Sequence, residues 1–171
     1  SQDGIEFRPT APSLSMAVFR SGKCDTMGLL GFQIMCAGTG KVTFASGSTK
    51  EIDPRWWGAV DDYATDCTNS INSAIQSATA YAATVKLRGR GGFKITSSVV
   101  LKDGIWLEGD SFYKTEIRAA TGFSMITADL SGCGIRNLRI RGAGSGVANG
   151  IGFNVGGSDN QHMNAENCDF V

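Results

Sequence analysis

Three carboxylates crowd into one short stretch, Asp61-Asp62-Tyr63-Ala64-Thr65-Asp66. Clusters of this kind can hold a metal ion or perform acid–base chemistry. This stretch lacks the central Gly and the later Glu of a calcium-binding loop between two helices. The spacing therefore does not indicate that type of metal site, and we expect neither a metal nor a cofactor.

Two glycine-rich stretches raise the question of phosphate binding. Ala37-Gly38-Thr39-Gly40-Lys41-Val42 lacks the upstream Gly of a phosphate-binding loop, and Val42 stands where Ser or Thr is required. Neither this stretch nor Gly89-Arg90-Gly91-Gly92 precedes a helical pattern, so no helix N-terminus is available to a phosphate. Both stretches are predicted to be turns.

His162 is the single histidine, and the five cysteines are scattered along the chain. His162 lies beside Asp159 and Asn160, but no Gly-x-Ser-x-Gly nucleophile motif is present. The cysteines form no Cys-x-x-Cys pair, which argues against a zinc site and a disulfide framework. We interpret His162 as a turn residue and the cysteines as small buried hydrophobes in a reducing compartment. The cysteines are Cys24, Cys36, Cys67, Cys133 and Cys168.

Composition and charge exclude several classes of protein. Lys+Arg and Asp+Glu both total 16, whereas nucleic-acid binders carry a basic excess or a basic stripe, so no nucleic-acid partner is expected. No apolar run approaches the ~18 residues of a membrane span, and the N-terminus lacks the pattern of a signal peptide. The 23 Gly among short β-branched runs predict many tight turns and a mainly β chain.

Residues 1–50 show short strand patterns separated by Gly and Ser, which predict a small β-rich segment that depends on other parts for stability. The single convincing helix is predicted over residues 68–83, with Asp66 and Thr68 as candidate N-caps. Apolar residues recur there at the spacing of one helix face: Ile71, Ala74, Ile75, Ala78 and Ala82.

The remainder of the chain is a series of short strand patterns, and part of it repeats. Shifted by 30 residues, residues 135–140 match residues 165–170, and Asn137 falls on Asn167. The same shift carries the Gly-Ile pair at Gly104 onto a second Gly-Ile pair. Such a period is typical of a parallel β-solenoid, whose coils stack about 4.8 Å apart. Because the repeat has only two copies, a chance match is the alternative explanation.

One part of the chain contains, in order, Trp57-Gly58-Ala59-Val60, Asp62, Thr65-Asp66, Thr68 and residues 71–75. They are followed by Val85-Lys86-Leu87, Gly92-Phe93, residues 97–101 and residues 104–110. In the same order, these pieces resemble a known family, the pectate-lyase-like right-handed β-helices. The family's entry motif reads roughly F-G-A-x-G-D-G-x-x-D-D-T-x-A-I-x-x-A-I, in a version frequent in bacteriophage tailspikes and capsule depolymerases.

The entry motif also shows departures. Asp61 and Tyr63 stand where the motif has Gly, and Cys67 stands where it has a second Asp. If those Gly serve a left-handed turn, the loop in this chain must be built differently. In the family this stretch shapes the entry turn and caps the helix, so the same structural role is implied for the three carboxylates.

The resemblance, which covers residues 52–171, implies a mainly β fold. We expect a small β-rich, virion-proximal segment (1–50), an entry motif with an N-terminal capping helix (51–84), and the first coils of a right-handed parallel β-helix, a pectin-lyase-like solenoid (85–171). Because Val171 directly follows a strand pattern, the solenoid is expected to be truncated.

Residues that could act on a polysaccharide follow from this resemblance. Hydrolysis needs two facing carboxylates ~5 to ~10 Å apart, and a lyase needs a base with charge neutralisation. The carboxylates of the β-helical part are Glu108, Asp110, Glu116 and Asp129. They follow no repeated outward pattern, so the catalytic residues stay unknown and residues 1–171 are expected not to cleave polysaccharide. Trp56, and less so Trp57 and Trp106, could stack on sugar rings, although a Trp at the mouth of a β-helix is more often a core residue.

The implied function is that of a phage tailspike component. Its N-terminal segment would bind phage tail or baseplate proteins in the virion, and its β-helix would bind or degrade bacterial capsule or lipopolysaccharide. Short strands and open sheet edges favour a homotrimer. Two alternatives stay open: a structural or adhesive tail protein without enzymatic activity, and a cellular extracellular pectinase-like enzyme.

Overall fold

The computed structural model describes residues 23–24, 36–37, 43–44, 49–78, 83–128, 132–144, 151–153 and 164–171. Its helices are a short 3-10 helix (Pro54–Trp57) and α1 (Thr68–Ser77). Its strands are β1 (Lys23–Cys24), β2 (Cys36–Ala37), β3 (Glu51–Ile52), β4 (Thr84–Leu87), β5 (Gly92–Ile95), β6 (Val99–Leu101), β7 (Trp106–Gly109), β8 (Glu116–Ala119), β9 (Ile126–Ala128), β10 (Gly134–Arg136), β11 (Arg139–Arg141), β12 (Ile151–Phe153), β13 (Asn164–Glu166) and β14 (Asp169–Phe170).

Three parallel sheets carry most of these strands. The first sheet consists of β3, β4, β7, β10 and β13, the second of β5, β8, β11 and β14, and the third of β6, β9 and β12. The chain visits the three sheets in turn, and one passage through all three is called a coil below. The prediction of a mainly β chain with stacked parallel strands and one helix is confirmed for the described residues.

Apolar side chains from successive coils stack into one core. In the first sheet Val85, Leu107 and Ile135 are register partners, and all three are fully buried. Phe93 and Ile117 are register partners in the second sheet and are also fully buried. Each such side chain contributes roughly 1.5–3 kcal/mol by leaving water, so the inward positions of the short strands hold the coils together.

The coils differ in length, which corrects one part of the predicted repeat. Residues 30 apart are partners where β10 meets β13, as predicted, so Asn137 and Asn167 occupy the same position in adjacent coils. Between β7 and β10 the shift is 28 residues, as in the pair Glu108 and Arg136, and the predicted alignment of Gly104 with Gly134 is wrong by two residues. Side chains alternate between the two faces of a strand with a period of two, and the alignment was wrong by two residues. The incorrect alignment therefore still placed apolar residues on the inner face.

The helix ends earlier than predicted. Helix α1 covers Thr68–Ser77, and Ala78 already has an extended backbone with a ψ of 142°. Within the predicted range of 68–83, residues 79–82 lie outside the described residues and Ala83 is not helical. The Ser77 hydroxyl donates to the backbone carbonyl of Ala74, a local bond of the kind that competes with helix continuation.

Segments before the first complete coil cover the starting edge of all three sheets. Strand β3 pairs with β4 in the first sheet. In the second sheet the N–H groups of Tyr63 and Cys67 donate to carbonyls of β5. In the third sheet Asn72 of α1 donates from Nδ2 to the Ser98 carbonyl and accepts at Oδ1 from the Val100 N–H. Open parallel edges invite association with other strands, and here each edge is paired.

Most of residues 1–50 lies outside the described residues, including most of the Gly-Lys stretch of residues 37–42. Strands β1 and β2 form a two-residue antiparallel pair, with Cys24 opposite Cys36. Of the predicted β-rich segment, the structure describes this pair and residues 43–44 and 49–50, and the domain boundaries stay predictions. Within the described part of the chain, no helix is long and apolar enough to cross a membrane.

Candidate functional site

Asp62 is bound to its own turn. Its Oδ1 accepts from the N–H groups of Ala64 (2.8 Å) and Thr65 (2.7 Å), and its Oδ2 accepts from the Thr65 hydroxyl (2.7 Å). The Thr65 hydroxyl and these backbone bonds lower the pKa of Asp62 to about 2. A carboxylate so easily ionised is a poor proton donor near neutral pH, which favours the turn-forming role over general acid chemistry.

Asp61 and Asp66 bind two other segments of the chain. Asp61 accepts from the Arg90 N–H over 3.1 Å. Asp66 accepts at Oδ1 from the N–H of Thr68 at the start of α1 (3.0 Å) and at Oδ2 from the Thr96 hydroxyl (2.7 Å). Among the residues that the structure describes, no three His, Cys, Asp or Glu side chains are grouped to hold a metal ion. Asp61 and Asp66 therefore connect the entry turn to the start of α1 and to residues on either side of β5.

Tyr63 stands where the motif has Gly, so a differently built turn was expected. In the structure Tyr63 keeps the left-handed backbone, with a φ of 59°. Its ring occupies the space beside Gly92, where an added Cβ would overlap Tyr63 Cε1. The Arg118 guanidinium lies 4.6 Å from the centre of the same ring. Contacts of the ring thus hold a conformation that costs about 1–3 kcal/mol in a residue other than Gly.

Trp56, the predicted sugar-binding residue, lies in the 3-10 helix and is partly buried against the core. Its ring centre is 5.7 Å from that of Phe44 and 6.1 Å from that of Trp57. This aromatic cluster gives Trp56 a structural role beside the entry segment. Stacking of a sugar on Trp56 stays a prediction.

Trp106 lies on the outer face of the first sheet. Its indole covers Gly134, where an added Cβ would be 2.8 Å from Trp106 Cζ3. The Arg136 guanidinium lies 5.4 Å from the centre of a Trp106 ring, within the range of a cation–π contact. The glycine therefore makes room for a tryptophan that packs along the outside of the coils.

The outer face of the first sheet also carries a row of alternating charges. The register places Lys86, Glu108, Arg136 and Glu166 side by side in successive coils. Glu108 accepts from Lys86 Nζ over 2.5 Å and from Arg136 Nε over 2.6 Å. Burial acts to raise the pKa of Glu108, but hydrogen bonds and charge from Lys86 and Arg136 outweigh burial and leave that pKa below its ordinary value.

The outer face of the second sheet carries a row of cations instead. Lys94, Arg118 and Arg141 are register partners in β5, β8 and β11. Glu116 lies between two of them, 3.0 Å from Arg118 Nε and 3.6 Å from an Arg141 terminal nitrogen, and its side chain is 8% exposed. Nearby, Arg139 pairs with Asp169 over 2.8 Å. Glu116 thus pairs with two of the three cations of this row, Arg118 and Arg141.

Glu108 and Asp110 both approach Lys86 Nζ, at 2.5 Å and 4.0 Å, whereas Glu108 and Glu116 do not form a facing pair. Glu108 and Glu116 lie on the outer faces of different sheets, and each is held between two cations. Asp110 accepts from the Gly89 N–H and lies 4.0 Å from Lys86 Nζ. Asp129 and His162 lie outside the described residues. The arrangement of the three described acids suits charge pairing better than proton transfer.

Sequence reasoning missed two features of this surface. The cation row of the second sheet was missed because its members are 24 and 23 residues apart, and the repeat was read at 30. The second feature is the loop between β7 and β8, where the rings of Phe112 and Tyr113 lie tilted against each other with centres 4.0 Å apart and Tyr113 is 77% exposed. In the sequence, this exposed pair could have been found as two adjacent aromatic residues between turn residues.

Comparisons with known proteins show the fold. The A-module of mannuronan C-5 epimerase AlgE4 from Azotobacter vinelandii aligns with a TM-score of 0.56 and 24% identity, over 69% of this chain and 37% of that chain. The AlgE6 A-module from the same organism aligns with a TM-score of 0.53 and 18% identity, over 70% and 37% of the two chains. This chain therefore spans just over a third of those parallel β-helix modules. No family model and no curated protein matches it.

Proposed function

We propose that the chain forms coils of a right-handed parallel β-helix in a bacteriophage tailspike or capsule depolymerase. This β-helix binds or degrades polysaccharide on the bacterial surface. One observation carries the proposal: three parallel sheets stacked coil on coil, whose starting edges are covered by the entry segment that resembles that family. The shared fold with modules named for epimerisation of mannuronan, a polysaccharide, supports the same class of ligand.

Residues 1–50 have a separate role in this proposal. They attach the protein to phage tail or baseplate proteins, so that the β-helix points away from the virion. The protein assembles as a homotrimer, because a short β-rich segment gains stability by packing against copies of itself. Light scattering of the full-length protein tests this assembly, and a stable monomer at micromolar concentration would contradict it.

Within the proposal, the described coils bind polysaccharide and do not cleave it. Both Glu108 and Glu116 are held in ion pairs, and Glu108 has a lowered pKa. General acid catalysis near neutral pH needs a carboxyl with a raised pKa. Any cleavage by the full-length protein is therefore assigned to other residues.

A binding screen tests the proposal. The chain is immobilised and exposed to a panel of purified capsular polysaccharides and lipopolysaccharides. Retention of at least one of them, and none by a heat-denatured sample, is expected. If neither this chain nor the full-length protein retains any bacterial glycan, the proposal is wrong.

The same glycans separate the alternatives. A full-length protein that shortens a retained glycan is a depolymerase, whereas one that retains it at full length is an adhesive tail protein. A native gene with a secretion signal and no neighbouring phage genes would instead favour the cellular pectinase-like enzyme.

A further inference from the structure

The outer face of the second sheet carries cations that the fold aligns across three coils. Strands β5, β8 and β11 place Lys94, Arg118 and Arg141 in one row. Their neighbours Phe93 and Ile117 are fully buried, so alternation along each strand turns the row outward. The side chains of Arg118 and Arg141 are 39% and 44% exposed, and solvent reaches both.

This row is less neutralised than the row on the first sheet. In the first sheet positive and negative residues alternate from coil to coil. In the second sheet Asp66 is the register partner of Lys94, and three cations then follow one another. Among the described residues, Glu116 is within ion-pair distance of Arg118 and Arg141, and Lys94 Nζ donates to the Ala64 carbonyl over 3.2 Å. Like charges directly opposite in neighbouring strands are destabilising. An anionic ligand would offset that cost.

Arg118 is held in place. Its guanidinium lies 4.6 Å from the centre of the Tyr63 ring, and its Nε donates to Glu116. A guanidinium has five N–H donors, and these contacts use only some of them. Tyr63 is 42% exposed, so an aromatic surface lies beside the cations. Arginine binds carboxylates through two parallel hydrogen bonds, which makes it well suited to a planar carboxylate.

We propose that this row binds the carboxylates of an acidic polysaccharide whose chain crosses the coils. The inference rests on the proposed function and names its class of ligand. Strands of adjacent coils lie about 4.8 Å apart, so the cations recur at a regular short interval along the coil axis. A linear polymer of uronic acids carries one carboxylate on every sugar and supplies anions at a similarly regular interval. The apolar face of a sugar ring can pack on Tyr63.

A double variant, Lys94→Gln with Arg141→Gln, tests the row. The variant keeps Arg118, whose Nε lies 3.0 Å from Glu116. Glu116 is therefore not left as an unpaired buried carboxylate. The matched control is Lys50→Gln with Lys114→Gln, which removes the same charge from exposed positions outside the row. A second control, Lys94→Arg with Arg141→Lys, keeps both charges. Thermal melting of each variant checks that it is folded.

Binding is measured by calorimetry with polygalacturonate as the acidic probe and dextran as the neutral probe. The unmodified chain is expected to bind polygalacturonate in preference to dextran, and more weakly at high salt. The double variant is expected to bind polygalacturonate about tenfold more weakly. Both controls are expected to bind as the unmodified chain does.

Three results would overturn the assignment. The first is equal binding of polygalacturonate by the double variant and the unmodified chain. The second is binding of neutral bacterial polysaccharides with none of polygalacturonate, which leaves the proposed function intact and removes the acidic class. The third is a change of oligomeric state in the double variant with no change in binding, which assigns the row to a subunit interface. If neither this chain nor the full-length protein binds any bacterial polysaccharide, acidic or neutral, the proposed function is contradicted as well.

Discussion

Asn167 donates from its side-chain Nδ2 to Oδ1 of Asn137 over 2.7 Å, one coil away. Both residues have a left-handed backbone, with φ of 51° and 57°, at the turn between the first and second sheets. Asn tolerates this conformation better than most residues, and its amide can bond to the same amide in the next coil. The pair therefore supplies both the turn and a link between coils.

Replacement of this asparagine should separate the two contributions. Asn137→Ala loses the bond and leaves at positive φ a non-glycine residue whose side chain forms no compensating hydrogen bond. We therefore expect a loss of about 1–3 kcal/mol in the free energy of unfolding. Asn137→Gly loses the bond but accepts the backbone, so its loss should be smaller. Urea denaturation measures both. An alanine variant as stable as the unmodified chain, or more stable than the glycine variant, would contradict this account.

The sequence predicted some of these features for physical reasons. The Asn137 and Asn167 match was visible because their two coils are 30 residues apart, as the single repeat implied. Other coils have different lengths, with Lys86 and Glu108 partners at a separation of 22. Loop insertions change the separation without disturbing the inward alternation. One fixed period therefore could not predict the outer rows, whose charges depend on the exact register.

The helix also has features that the sequence predicted and features that it did not. Ile71 and Ile75 belong to the apolar helix face that the sequence predicts, and both are fully buried. The end of the helix was wrong because the Ala-rich stretch after Ser77 favours helix by propensity. The role of Asn72 at the edge of β6 could not be predicted, since it depends on a strand 26–28 residues away.

Burial of Ile75 makes this helix a sensitive point. Ile75→Asp places an unpaired charge in the core, and we expect a loss of roughly 3–5 kcal/mol in the free energy of unfolding. Gln76→Asp changes the neighbouring exposed residue and should cost less than about 1 kcal/mol. Thermal and urea unfolding compare the two. Unchanged stability in the Ile75 variant would rule out the packing of α1 on the core.

The contact between Tyr63 and Gly92 predicts a coupled pair of substitutions. Gly92→Ala places a methyl group against the Tyr63 ring, and overpacking of this kind costs about 1–3 kcal/mol. In a Tyr63→Gly background the ring is gone, so the same change should cost much less. A double-mutant cycle measures the coupling. Equal costs in both backgrounds would mean that the entry turn does not pack on β5 as described.

The ion pairs of Glu108 predict that the folded protein loses stability in acid. Because ion pairs lower its pKa in the folded protein, its stabilising contribution is complete above the ordinary pKa of about 4.3 and is lost as the pH falls through the lowered value. Glu108→Gln should be less stable near neutral pH and should show a weaker dependence on pH in this acidic range. Glu166→Gln, at an exposed position of the same row, serves as the control. Equal acid dependence in Glu108→Gln and the unmodified chain would contradict the ion pairs.

The described coils also predict an absence of cleavage, since Glu108 and Glu116 are both committed to ion pairs. Incubation with capsular polysaccharide should produce neither new reducing ends nor the absorbance of an unsaturated uronate. Turnover that disappears on substitution of Glu108, Asp110 or Glu116 would instead place an active site in these coils.

Size-exclusion chromatography with light scattering tests the proposed binding function most directly. A capsular polysaccharide retained in the binding screen is incubated with the chain and then separated by size. The account predicts that protein and polysaccharide elute together and that the polysaccharide keeps its original length. Separate elution of the two, or a shortened polysaccharide, would contradict it.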